Sequence, residues 1–311
     1  MRLHPKGGRV DDFFMKQVIL SIAIVLAAFS FPILAAPRSL PPIVSTTWLS
    51  QNLQDPRIIV LDIRGGEPYG KGHIPGSISA PLKLWAIASG GLTLELPADE
   101  ALAELLGKFG IADGASKLIV IAGRTETDFG RADATRVAWT CMLAGLKNVA
   151  VLDGGYTKWA KEDRPRSTDA AVPAPLKYQG IINRSTLATK SHVQSRLGRA
   201  IILDARVPED YFGITSKPGH IKGAVNLPTP WVFSPDGTFK QEAELRAMIS
   251  GVLGQEKSKE VLVYCGVGGY ASTWWYLLTQ VFGYADVKVY DGSIEEWLKD
   301  ATAPVSTYTW H

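Results

Sequence analysis

Short apolar runs recur along the chain at lengths that suit buried strands. Residues 58–61, 118–122 and 149–152 form one set, and residues 201–203, 261–264 and 287–290 form a second. These runs are too short for helices and are rich in β-branched residues. Between them, residues 99–109 and 242–253 place their apolar positions at helical spacing. Alternating strand and helix predicts an α/β architecture, a parallel sheet flanked by helices on both faces. Ligands of such sheets bind beyond the C-terminal strand ends, so chemistry is expected just after Leu203 and Tyr264.

The pattern also repeats. Leu61-Asp62-Ile63-Arg64 returns as Leu203-Asp204-Ala205-Arg206. Gly72-His73-Ile74-Pro75-Gly76, followed by Pro81, returns as Gly219-His220-Ile221-Lys222-Gly223, followed by Pro228. Asp153-Gly154-Gly155 with Trp159 returns as Asp291-Gly292-Ser293 with Trp297. Motifs repeated in one order predict two copies of one fold. We place the copies at residues 40–160 and 178–303, joined by a polar, Pro-rich linker at 161–177.

The first 36 residues read as an address. Met15-Lys16-Gln17 precedes a long apolar run that closes on Ala35-Ala36 before Pro37, the layout of a secretory signal peptide, with Met15 a candidate true start. The chain is then exported, periplasmic or extracellular, with no stable membrane span once the leader is cleaved. The alternative is a retained anchor, because the uncharged stretch 18–36 is 19 residues, just enough to cross a bilayer. Composition narrows the rest. With 33 Lys+Arg against 30 Asp+Glu the net charge is +3, too small and too mixed for a nucleic-acid partner. Two cysteines and five histidines without ligand spacing give no metal site.

The chemistry is expected at Cys265. This residue ends an apolar strand, and Gly266, Val267, Gly268, Gly269 and Tyr270 follow before a helix opens near Ala271. Glycines let successive backbone N–H groups turn inward, and the helix N-terminus adds partial positive charge. Both stabilise a thiolate, which is the nucleophilic form of cysteine. The competing reading is a buried packing cysteine. Cys141 fits that reading, since it lies in the apolar helical run Val137-Ala138-Trp139-Thr140-Cys141-Met142-Leu143. Aligning the strands of the two copies places Ala122 opposite Cys265, so the first copy has the scaffold without the nucleophile. Arg206 is a candidate substrate contact, although Arg64 repeats it and a structural pair with Asp204 explains it equally well. His73 and His220 occur in both copies and read as turn histidines. Trp231, Trp274 and Trp275 read as core residues, or as walls of the cleft.

On these motifs the chain resembles the two-domain rhodaneses, which are thiosulfate and 3-mercaptopyruvate sulfurtransferases. The resemblance runs from about Ile43 to Ala303 and implies tandem rhodanese-like domains, the first inactive and the second catalytic. It implies a double displacement in which Cys265 takes a sulfane sulfur as a persulfide and passes it to cyanide or a thiol. No cofactor beyond that covalent intermediate is implied. The partners are a small sulfur donor and a thiophilic acceptor, with a sulfur-accepting protein as a further candidate. The loop departs from the thiosulfate-type pattern because it carries no Arg or Lys, and its Cys265-Gly266 start is similar to the mercaptopyruvate enzymes. Related phosphatases use a longer loop followed by Arg, whereas Ala271 stands here, so phosphatase activity is not expected. The alternative from a different class is a non-catalytic periplasmic carrier of sulfur or polysulfide, or an interaction module.

Overall fold

The computed structural model describes residues 38–215 and 219–308, together with Met1. The proposed leader lies outside the described residues. No helix among the described residues is long and apolar enough to cross a membrane.

Two five-stranded parallel sheets organise the chain. The first contains β1 (Ile43–Val44), β2 (Ile58–Asp62), β3 (Ile78–Ser79), β4 (Leu118–Ala122) and β5 (Val149–Leu152), in the order β1-β5-β4-β2-β3. The second contains β6 (Leu187–Ala188), β7 (Ile201–Asp204), β8 (Val225–Asn226), β9 (Val261–Tyr264) and β10 (Val287–Tyr290), in the order β8-β7-β9-β10-β6. Reversing the second order gives the first, so the repeated motifs do mark repeated topology. The six central strands are those the apolar runs predict. The four edge strands are two residues each, too short to leave a pattern.

Each sheet carries helices on both faces. In the first half these are α1 (Thr46–Asn52), α2 (Gly66–Gly70), α3 (Asp99–Lys108), α4 (Asp128–Leu143) and α5 (Gly155–Lys161). The second half repeats them as α6 (Lys190–Arg196), α7 (Pro208–Phe212), α8 (Glu242–Leu253), α9 (Gly269–Tyr276) and α10 (Ser293–Trp297). Alternate strand residues face opposite layers. Leu61, Ile119, Ile121, Val149 and Val151 join one core with the α3 and α4 side chains, while Val60, Val120, Ala150 and Leu152 pack with Leu49 and Trp159 on the other face. The first of these cores continues into the second half, through Leu203, Val261, Val263 and Val289. Helices α4 and α9 meet along it, where the Thr135 and Thr273 hydroxyls lie 2.8 Å apart and the Trp139 and Trp275 rings 6.4 Å apart.

Strand register corrects one alignment. Asp62 pairs with Ala122, and Asp204 pairs with Tyr264. Ala122 is therefore the counterpart of Tyr264, and Gly123 the counterpart of Cys265. The backbone agrees: the Gly123 carbonyl accepts from Tyr156 N, as the Cys265 carbonyl accepts from Ile294 N. The slip arises because these strands are buried on both faces, so their apolar character does not fix which residue points where. That position in the first half still carries no nucleophile, since glycine has no side chain. A second difference lies at the helix starts. Helix α9 opens at Gly269 rather than Ala271, and its counterpart α4 opens at Asp128.

After α5 the chain runs without regular structure along the first half. Leu176 N donates to the Gly107 carbonyl at 2.9 Å and Gln179 N to the Ala112 carbonyl at 2.8 Å. The Tyr178 ring is buried there, with its hydroxyl 2.5 Å from the Ala144 carbonyl.

Candidate active site

The Cys265 loop is held against the start of α10 by three hydrogen bonds. β9 delivers Cys265 at its C-terminal end, beside β7. Cys265 N donates to Ser293 Oγ at 3.1 Å, and that hydroxyl donates to the Tyr290 carbonyl at 2.9 Å. The Cys265 and Gly266 carbonyls accept from Ile294 N and Glu295 N at 3.1 and 3.2 Å. Ser293 sits at φ 51°, in the left-handed region that a non-glycine residue enters only when its surroundings hold it there. With its carbonyls directed to α10, the loop leaves an amide for the sulfur. Gly268 N donates to Cys265 Sγ at 3.1 Å. Gly268 is also the N-cap of α9, at φ 89°, so the same residue turns the loop and starts the helix. Gly266, Val267 and Gly269 are half-buried, while Tyr270 is buried and stacks on the exposed Phe129 ring at 4.5 Å.

The first half clamps this loop. Arg136, on α4, is fully buried and forms a two-pronged ion pair with the buried Asp291. The same guanidinium reaches the Gly268 carbonyl at 3.5 Å and the Leu94 carbonyl at 3.3 Å. Asp291 also accepts from Leu96 N at 3.0 Å. Gly268 is required for a second reason: a Cβ there would overlap the Asp291 carboxylate and come within 2.9 Å of Arg136 Nη1. The antiparallel ribbon formed by residues 87–89 and 92–95 closes over this corner. Thr93 N and Oγ1 donate to Glu295 at 3.0 and 2.7 Å.

Cys265 and Cys141 are both free thiols, and both are buried. They differ in what surrounds them. Cys141 lies inside α4, and burial pushes its thiol up. Cys265 lies at a strand end, with an amide aimed at its sulfur.

Residues 45–162 and 189–300 both match the model of the Rhodanese-like domain family. The chain belongs to the rhodanese family. It is 31% identical over 284 residues to the "Sulfur carrier protein TtuD" of Thermus thermophilus, covering 85% of this chain and 96% of that one. It is 30% identical to the "Thiosulfate sulfurtransferase" of Rattus norvegicus, covering 83% and 92%. Among solved structures it is similar to that of YnjE, with a TM-score of 0.73 at 24% identity over 86% of this chain and 69% of that one, a likeness of fold.

Other residues singled out in this rhodanese have structural partners. Arg206 is 2% exposed and holds Asp204 through Nε and Nη2 at 3.0 and 2.6 Å, while Nη2 also donates to the Gly219 carbonyl at 2.7 Å. Arg64 repeats each of these bonds with Asp62 and Gly72. The ion-pair reading thus accounts for Arg206 except for Nη1, which has no partner among the described residues. His73 stacks on Tyr69 and His220 on Tyr211, each at 3.8 Å, with Nδ1 on the carbonyl of the stacked tyrosine. Trp274 and Trp275 are core residues, and Trp231 is exposed.

Sequence reasoning missed Arg136, Ser293, Glu95 and Tyr264, whose hydroxyl donates to Asp204 at 2.7 Å. The available signal for Arg136 was a lone cation inside an apolar helical run.

Glu95, at the end of the ribbon, is expected to make the stability of this rhodanese depend on pH. Burial, then the neighbouring Asp291, raises its carboxyl to about 7, with Arg136 pulling the other way and Glu296 and Glu295 adding to the rise. A carboxyl raised in the folded state favours folding while protonated. Its contribution is full below its unfolded value and is lost as pH rises through about 7. Thermal unfolding of Glu95→Gln should therefore show a flatter decline in stability from about pH 5 to about pH 8 than the parent. An unchanged profile would place that titration elsewhere.

Proposed function

We propose that the chain is a sulfurtransferase that moves a sulfane sulfur from thiosulfate or a related donor to cyanide or a thiol, through a persulfide on Cys265. The observation that carries this reading is the Gly268 N–H aimed at Cys265 Sγ from 3.1 Å, at the start of a helix. An amide donor and a helix N-terminus favour negative charge on sulfur, in the thiolate and equally in a persulfide. Family membership and relatives named for sulfur transfer and sulfur carriage support the same chemistry.

The steps balance without a cofactor. The Cys265 thiolate attacks the outer sulfur of thiosulfate, the S–S bond breaks, and sulfite leaves with the electron pair. The persulfide's outer sulfur is then attacked by cyanide, which regenerates the thiolate and releases thiocyanate. The sulfur is buried, so the donor must present an unhindered terminal sulfur, as thiosulfate, 3-mercaptopyruvate and persulfides do. The loop offers no guanidinium or ammonium to a dianion, which weakens the advantage of thiosulfate over a monoanionic donor.

Steady-state rates with thiosulfate and with 3-mercaptopyruvate, at several cyanide concentrations, test this reading. Parallel double-reciprocal lines with at least one donor are expected, because the two half-reactions share only the persulfide. No turnover with either, alongside loading from polysulfide, would replace the enzyme by a sulfur carrier.

A further inference from the structure

The two halves place equivalent positions at their strand ends, but different residues stand there. Asp62 pairs with Ser79 and Ala122, as Asp204 pairs with Asn226 and Tyr264, which fixes the correspondence residue by residue. Gly65 and Gly66 stand where the second half has Val207 and Pro208, Lys83 where it has Pro230, and Arg124 where it has Gly266. Counting from the N-caps Thr127 and Gly268, Asp133 stands where the second half has Trp274. The Trp274 ring is fully buried, with its N–H on the Leu227 carbonyl at 2.7 Å. Each exchange in the first half removes bulk or adds charge.

The result is a cavity of about 550 Å³ lined by Arg64, Gly65, Ser79, Lys83, Arg124 and Asp133, among others. Side chains added at Gly65 or Gly66 would meet nothing within 4 Å, so the turn leaves open space. Arg64 is already committed to Asp62, the Gly72 carbonyl and the Tyr156 ring. Lys83 and Arg124 are exposed, and no hydrogen bond or ion pair among the described residues ties either down. Two cations that no hydrogen bond or ion pair ties down thus line one concave site together with Ser79.

We propose that this cleft is a second ligand site, which binds a compact oxyanion between Arg124 and Lys83. Arg124 supplies paired donors, Lys83 a point charge, and Ser79 a neutral donor. Asp133 opposes the ligand, since an ionised carboxyl on the same wall repels a dianion. Burial raises its carboxyl to about 6, with Arg124 pulling it back down, so the cavity wall disfavours the charge that would compete with the ligand. Sulfur-centred and phosphorus-centred oxyanions share the required chemistry. The site does not depend on the Cys265 thiol.

Calorimetric titration of the full chain carrying Cys265→Ser, with sulfite, sulfate and phosphate in turn, tests the proposal without thiol chemistry. Saturable binding of at least one anion is expected. Arg124→Gln and Lys83→Gln should each weaken it about tenfold, and Asp133→Asn should tighten it a few-fold. All three side chains lie on the cavity wall rather than in the core, and an unchanged far-ultraviolet circular dichroism spectrum checks that the fold is intact. Tighter binding of sulfite or sulfate names a sulfur oxyanion as the ligand, and tighter binding of phosphate names a phosphate. Absence of saturation at millimolar concentrations of all three would overturn the proposal. So would binding that Arg124→Gln and Lys83→Gln leave unmoved.

Discussion

Cys265→Ser should remove sulfur transfer altogether, whereas Cys141→Ser should leave its rate within about twofold of the parent. Both thiols are buried, so exposure does not separate them. Position does. Cys141 is enclosed by the α4 core, where burial pushes its thiol up, away from the ionised form. Cys265 ends a central strand and receives the Gly268 N–H at 3.1 Å. Serine at 265 keeps the size and the hydrogen-bonding partners but is a poor nucleophile without an adjacent base. Transfer rates for both variants, with circular dichroism to confirm the fold, check the contrast. Loss of transfer in Cys141→Ser alone would reverse the assignment.

Gly268→Ala and Arg136→Met should both disable the loop, by different routes. Alanine at 268 must adopt φ 89°, overlap the Asp291 carboxylate and approach the Asp291 carbonyl to 2.8 Å. A left-handed backbone costs about 1–2 kcal/mol for a residue with a Cβ, and displacing the buried pair adds more. Arg136→Met leaves Asp291 buried without its partner, a loss of about 3–5 kcal/mol. The double variant Arg136→Met with Asp291→Leu separates positioning from packing. Removing both charges should restore much of the lost stability, while transfer stays low because nothing then holds the Gly268 carbonyl. Unfolding midpoints and transfer rates measured together give the answer. Full recovery of both in the double variant would show that the ion pair serves packing alone.

How far the sequence could be read follows from what each signal encodes. The repeated Leu-Asp-x-Arg, Gly-His-Ile and Asp-Gly motifs mark turns and buried pairs whose chemistry is local, so they revealed two copies of one fold, while the apolar runs located the central strands. Two-residue edge strands such as β3 and β8 carry no periodicity and stayed invisible. The slip that set Ala122 against Cys265 arose because strands apolar on both faces do not distinguish one face from the other. Gly269 read as loop because glycine is a poor helix former, yet a helix can begin there when Gly268 before it takes the left-handed turn. Arg136 and Asp291 lie 155 positions apart on opposite halves, and no local pattern announces such a pair. The cationic first-half cleft was hidden for the same reason, since Lys83 and Arg124 converge only through the sheet.

A persulfide on Cys265 would show as added mass. Intact mass followed by peptide mapping, after incubation with thiosulfate, 3-mercaptopyruvate or polysulfide, reads it. One added sulfur is expected, on the peptide containing Cys265 and removed by cyanide. A sulfur mapped to Cys141, or no added sulfur from any of the three donors, would contradict the Cys265 persulfide.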